Sequence, residues 1–222
     1  MEQFIHNFFN VDIMWRSRII LLTGLKNTML LAAVSLILAT AFGLFLAVIR
    51  SVNLKLVNFL IVVYVDVFRA LPTIVLFMVV YYMLPYLGLS LPVFWAAVTA
   101  LTINGAAYFE EIFRAGIEAV DRGQWEAAHS LGLNFVQTMR HVILPQVIRI
   151  VLPPATGNSL ELVKTTVLAS VISMPDLLYK AQQAAGGIFA NSTPLVTAAL
   201  IFLVMFWPLV RLTGYLERRF GG

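Results

Sequence analysis

The chain has no cysteine, so disulfides, thiolate metal sites and cysteine nucleophiles are excluded. Charge is scarce: 12% of the 222 residues are charged, against 60% hydrophobic. A soluble domain of this length has too little interior to hide so much apolar surface, and lipid is the solvent that resolves the conflict. The three histidines, His6, His129 and His141, are scattered and form no ligand pattern. No Gly-x-x-x-x-Gly-Lys-Ser/Thr loop is present to cradle nucleotide phosphates. No internal repeat suggests two inverted halves. The opening Met1–Asn10 lacks the basic region and small-residue cleavage site of a secretory signal. Its Phe4, Ile5, Phe8 and Phe9 suit either a short interfacial helix or a merely hydrophobic terminus.

What is abundant is uncharged length. Asn27–Ile49 carries no charge, and Ala70–Phe109 runs 40 residues without one. One helical crossing takes roughly 20 apolar residues, so the longer run holds about two crossings, with Pro85, Gly88 and Pro92 marking the turn. The pattern predicts an all-α membrane protein with about five transmembrane helices, in one domain over residues 1–222. The expected spans are Lys26–Ile49, Leu56–Leu84, Pro92–Arg114, Val142–Val163 and Pro194–Tyr215. Pro145, Pro153 and Pro154 are expected to break the fourth span, and Met174–Ala185 to form a short helix on the outer surface.

Five spans put Arg50, Lys55, Arg114, Arg122, Arg140, Arg149, Arg211, Arg218 and Arg219 on one side of the membrane. Arg16, Arg18 and Lys26 dissent. The balance predicts an outer N-terminus and a cytoplasmic C-terminus. The net charge of +4 reads as this bias and not as a nucleic-acid surface.

The polar stretch 118–141 carries the clearest motif. Glu126-Ala127-Ala128 is followed by three residues, Gly132, nine residues and Val142-Ile143-Leu144-Pro145. Residues Gln124–Leu131 make two helical turns, and small Ala127 and Ala128 let another surface approach. Gly132 is suited to the left-handed conformation that ends a helix. Glu126 is expected in the first turn, where a carboxylate complements the helix dipole. Trp125 is an aromatic anchor of the kind enriched at interfaces.

This spacing resembles the Glu-Ala-Ala loop of ABC importer membrane subunits, with Val142 in place of isoleucine. Residues Ala106–Ile117, Gly123–Ala128 and Val67–Pro72 look like the polar amino-acid branch, as do Asn158, Ser159, Lys164, Leu168, Ala169 and Ser170 in their order. Where that branch commonly reads Phe-Arg-Gly-Thr-Pro, Ala70 and Leu71 depart from it. The resemblance implies a type I importer fold in the bacterial inner membrane, with Gln124, Trp125, Glu126, Ala127, Ala128, Gly132 and Pro145 in the loop that couples to an ATPase. It implies two ATPase subunits carrying the ATP and magnesium, no cofactor on this chain, and a second identical or homologous permease subunit. It also implies a periplasmic or lipid-anchored binding protein and a polar amino acid, or a related solute such as an opine, as cargo.

Charges inside apolar spans cost at least ~2.5 kcal/mol each on insertion scales and usually face protein or water. Asp66 and Arg69 are three residues apart, as are Glu161 and Lys164, so each set is spaced to pair. The alternative to two structural ion pairs is a substrate site. Arg69 offers a fork for a carboxylate, Glu161 an acceptor for an ammonium, and Asn104, Lys164 and Thr165 further polar groups. In relatives that resemble this chain the lysine is often followed by aspartate, where Thr165 stands here. Glu110, Glu111, Arg114 and Glu118 read as a salt-bridged helix end. Two rivals are an ion-coupled secondary transporter relaying through Glu161 and Lys164, and a membrane enzyme using Glu110 and Glu111. Neither accounts for Glu126–Pro145.

Overall fold

A computed structural model describes residues 2–52, 54–189 and 191–220, and among them there is no strand. The helices are α1 (Glu2–Phe8), α2 (Val11–Arg50), α3 (Lys55–Ala70), α4 (Thr73–Met78) and α5 (Val93–Glu118). There follow α6 (Arg122–Ser130), α7 (Phe135–Thr138), α8 (Leu144–Thr165), α9 (Leu177–Gln183) and α10 (Thr193–Phe220). The chain is an all-α membrane protein, as expected. Two helical runs, His6–Arg50 and Thr193–Leu216, are each long and apolar enough to cross a bilayer. Counting Lys55–Ala70 with Thr73–Leu87, and Phe135–Ile172 with Leu177–Ile188, as one bent span each raises the number to four. The expected third span falls on α5, whose 26 residues are long enough to cross, but α5 is not among the helices that are also apolar enough by composition. Its last turns carry Glu110, Glu111, Arg114 and Glu118.

Two local expectations are corrected. The second span is not one helix. Pro72 forces Leu71 into extended backbone (φ −80°, ψ 130°), so α3 stops at Ala70. The prolines of the fourth span do not break it: Pro153 and Pro154 lie inside α8, and helix continues through Phe135–Ile172. Proline's fixed φ is already helical, and the carbonyls it frees belong to Arg149 and Ile150, which are exposed. The short helix expected after Met174 is present as α9, with Leu177 and Ala181 fully buried on one side. At the N-terminus, Phe4 and Ile5 have side chains outside the described set, while Phe8 and Phe9 are exposed.

The residues divide into two compact units. The first comprises Met1–Leu36, Pro72–Leu101 and Leu162–Val210. Leu21, Leu177, Ala181 and Ala198 form a buried cluster there, lined by Leu25, Ile201 and Phe202. The irregular segment before α9 is tied to α2: Asn27 Nδ2 donates to the Pro175 carbonyl (2.8 Å), and the Leu177 amide donates to Thr28 Oγ1 (3.0 Å). Non-helical backbone at membrane depth must have such partners. Gly24 permits the approach, since a Cβ there would lie 2.7 Å from the Asp176 carbonyl oxygen.

The second unit comprises Ile37–Leu71, Thr102–Glu161 and Arg211–Gly222. Here α2 and α5 touch backbone to backbone at Gly43, where a Cβ would fall 2.5 Å from the Phe109 Cβ and 2.9 Å from the Ala106 carbonyl oxygen. Gly116 of α5 similarly receives Val147 and Val151 of α8. Gly43→Ala is therefore expected to destabilise the chain by about 1–3 kcal/mol through overpacking. Gly214→Ala, in open space on α10, is expected to leave it unchanged or slightly more stable. Thermal unfolding in detergent, with both variants side by side, reads the difference.

Candidate docking and transport site

Helix α6 is defined at both ends. Asp121 is its N-cap, its carboxylate accepting from the Gly123 amide at 2.7 Å. At the other end the Gly132 amide donates to the His129 carbonyl (2.9 Å) and the Leu133 amide to the Ala128 carbonyl (3.1 Å). Gly132 has φ +75°, and this pair of bonds is the Schellman closure of a helix. Because α6 begins at Arg122, Glu126 sits in the second turn and not the first; the polar group at the N-terminus is Asp121.

The helix is also mounted on its own unit. Ala128 is 2% exposed, and the Trp125 ring stacks on Phe135 with centroids 6.4 Å apart. Gln146 of α8 donates to Gln124 Oε1 (3.2 Å) and to the Val142 carbonyl (2.8 Å), beside Pro145 at the start of α8. Trp125 and Ala128 thus hold α6 in place, which changes the expectation that both alanines and the tryptophan are presented outward. The outward face is Glu126 and Ala127, continued by Leu131 at 80% exposure. Leu131 and Val136, also strongly exposed, were not legible as surface groups in the sequence.

Above this mount runs a chain of charges. Glu110 is fully buried and bound by Arg50 of α2, with Nη1 3.0 and 3.3 Å from its two oxygens. Arg114 bridges Glu111 and Glu118, the latter at 2.6 Å, as the helical spacing predicts. Arg69, at the end of α3, pairs with Glu111 at 3.5 Å and lies over the Tyr108 ring, 5.3 Å from its centroid. The expected Asp66–Arg69 pair does not form. Asp66 is exposed and has no ion-pair partner among the described residues.

Asn104 has a physical task. Pro72 has no N–H to offer the Phe68 carbonyl four residues earlier. Asn104 Nδ2 donates to that carbonyl at 2.8 Å, and Tyr64 Oη donates to the Ile103 carbonyl at 2.6 Å. Arg69 and Asn104 therefore meet at the end of α3, opposite a stripe of α5 carrying Tyr108 and Glu111. The spacing Asn104, Tyr108, Glu111 is helical and was open to reading in the sequence. Glu161 and Lys164 are exposed on α8 and Thr165 is half-buried; Glu161 belongs to the second unit, Lys164 and Thr165 to the first.

Residues 39–222 match the family "Binding-protein-dependent transport system inner membrane component". The chain is 38% identical over 194 residues to the probable amino-acid ABC transporter permease protein YckA of Bacillus subtilis (strain 168), covering 87% of this chain and 86% of that one. To the probable glutamine ABC transporter permease protein GlnM of the same organism it is 36% identical over 210 residues, covering 95% and 97%. The structure described as an amino acid ABC transporter with histidines superposes with a TM-score of 0.81 at 34% identity, over 93% of this chain and 96% of that one.

The chain belongs to the binding-protein-dependent inner membrane component family, and is a multi-pass ABC importer permease of the inner membrane. The secondary-transporter alternative has no support in these relationships.

Removing Arg50 strands the buried Glu110 carboxylate, and loss of one partner of such a pair costs about 3–5 kcal/mol. Arg50→Met is expected to lower the unfolding temperature sharply, and Arg50→Met with Glu110→Leu to recover much of the loss. Thermal unfolding of the single and double variants in detergent checks the pairing.

Proposed function

We propose that this permease carries a polar amino acid into the cell, driven by ATP hydrolysed on two separate cytoplasmic ATPase subunits that dock on α6. A second permease subunit and an external binding protein complete the assembly, with the N-terminus outside and α6 in the cytoplasm. The observation that carries the reading is α6 itself. It is short, capped at both ends and fastened to its unit by Trp125, Ala128 and Gln124. It presents Glu126, Ala127 and Leu131 outward. A basic groove on the ATPase is the natural partner for Glu126, and Leu131 supplies apolar area.

The amino-acid cargo is supported by what the related permeases are named for, and by a group of suitable chemistry. Arg69 is 40% exposed in its side chain although it pairs with Glu111, so its guanidinium still has room for a carboxylate. Asp66, exposed three residues before it, is suited to the ammonium. Glu161, in the same unit as Arg69, remains a candidate for the solute side chain. Asn104 acts by fixing the α3 end on which Arg69 sits.

The docking and cargo roles separate experimentally. Glu126→Ala is expected to weaken co-purification of the ATPase and lower uptake while cargo binding persists. Arg69→Ala is expected to keep the ATPase bound and weaken cargo binding about tenfold or more, as loss of a charged hydrogen bond implies. Pull-down and labelled amino-acid uptake in vesicles check both. Unchanged ATPase association in Glu126→Ala removes the docking role.

A further inference from the structure

The first unit carries positive charge that its own residues do not answer. On α2, Val11, Trp15, Ile19, Leu22, Lys26 and Met29 recur at three- and four-residue spacing along one exposed face. Lys26 has no ion-pair or hydrogen-bond partner among the described residues. Beside the same stripe, Arg18 lies over the Trp15 ring, 3.7 Å from its centroid, and donates to the Trp15 carbonyl at 2.5 Å. It too pairs with no carboxylate among the described residues. Of the carboxylates described in this unit, Asp12 is held by Arg16 at 3.0 Å and Asp176 is fully buried. The anion for Arg18 and Lys26 must therefore come from outside the unit, and a second copy of it has no free carboxylate to give.

Depth decides what the anion is. The uncharged run Asn27–Ile49 is long enough for the hydrocarbon, about 30 Å thick, which leaves Lys26 at its edge. Side chains on a helix lean toward its N-terminus, so Lys26 brings its ammonium level with Leu22, about 6 Å along the axis from Arg18. We propose that this face of α2 binds an anionic phospholipid. The phosphodiester lies between the Lys26 ammonium and the remaining N–H groups of Arg18, and the acyl chains lie on Met29 and Leu30, both exposed. Trp15 stands at headgroup level, where aromatic rings are favoured. A choline headgroup brings a third cation against two, so the site selects phosphatidylglycerol over phosphatidylcholine. Arg18 and Lys26 run against the charge bias of the rest of the chain, and holding a headgroup gives them a task. The bound lipid also steadies the stretch of α2 on which Asn27 and Thr28 hold the segment before α9.

The test uses the importer purified with its partner subunits in mild detergent and exposed to micelles of equal phosphatidylglycerol and phosphatidylcholine. Native mass spectrometry counts the lipids retained. The wild type is expected to retain phosphatidylglycerol in preference. Lys26→Met is expected to need about tenfold more of it for the same retention, since one hydrogen bond to a charged group is lost. Lys26→Arg is expected to hold it as the wild type does, and Arg18→Gln to weaken it in the same direction as Lys26→Met. Arg149→Gln, at an exposed position on α8, is expected to change nothing. Added phosphatidylglycerol is also expected to raise the unfolding temperature of the wild type more than that of Lys26→Met. Equal retention by the wild type and Lys26→Met overturns the site, as does an equal loss in Arg149→Gln or displacement of the lipid by millimolar inorganic phosphate. A Lys26→Met importer that keeps its lipid but sheds a permease subunit assigns the face to protein, and overturns the site as well.

Discussion

The buried Glu110 carboxylate and its clamp by Arg50 set the arrangement of the second unit. A carboxylate with no exposed surface in an apolar helix is tolerable only if a cation reaches it, and Arg50 reaches it because Gly43 lets α2 lie against the α5 backbone. From there the order continues outward. Arg114 is held between Glu111 and Glu118, Gly116 receives Val147 and Val151 of α8, and Gln146 of α8 bonds Gln124 of α6. Helix α6 is therefore carried by α8, which is itself locked against α5. A push on α6 is a push on α5 and α8.

A second constraint is the absence of a backbone donor at Pro72. Ending α3 there leaves the Phe68 carbonyl to be satisfied from another helix, and Asn104 does so. The same break places Arg69 at a helix end, where its side chain reaches Glu111 and Tyr108 on α5. Flexible side chains at such a position can exchange an internal carboxylate for an external one, which is the chemistry a solute carboxylate requires. The first unit solves the equivalent problem near α9 with Asn27 and Thr28 against the segment Pro175–Leu177.

Much of this was legible in the sequence, and unevenly so. The docking loop was the easiest part, because Gly132 and the apolar residues around it fix a local helix end that needs no tertiary information. Asp121 was missed as the cap because the helix was taken to begin two residues late, and Glu126 was consequently assigned to the first turn. The membrane class followed from scarce charge, apolar abundance and uncharged runs of crossing length. Proline was misjudged in both directions: Pro72 breaks a span that looked continuous, while Pro153 and Pro154 sit inside one that looked broken. What decides is whether the freed carbonyls and the preceding residue are accommodated, and that depends on neighbouring helices. Pairings were the least legible. Arg69 was matched to Asp66 by spacing, whereas packing of α3 on α5 delivers Glu111, and Glu110 finds Arg50 across 60 residues of sequence.

The central claim is that α6 moves as one rigid piece with the Glu118 end of α5 and the Leu144 end of α8. A chain without native cysteine allows Ser130→Cys and Ile148→Cys to be introduced as the sole labelling sites. The spin–spin distance between them would be measured in the assembled importer, with and without bound ATP. The account predicts the same distance in both states, with the whole piece displaced relative to the ATPase. A shift of about 5 Å or more, on the order of one helical turn, would show that α6 hinges on its mount and would contradict it.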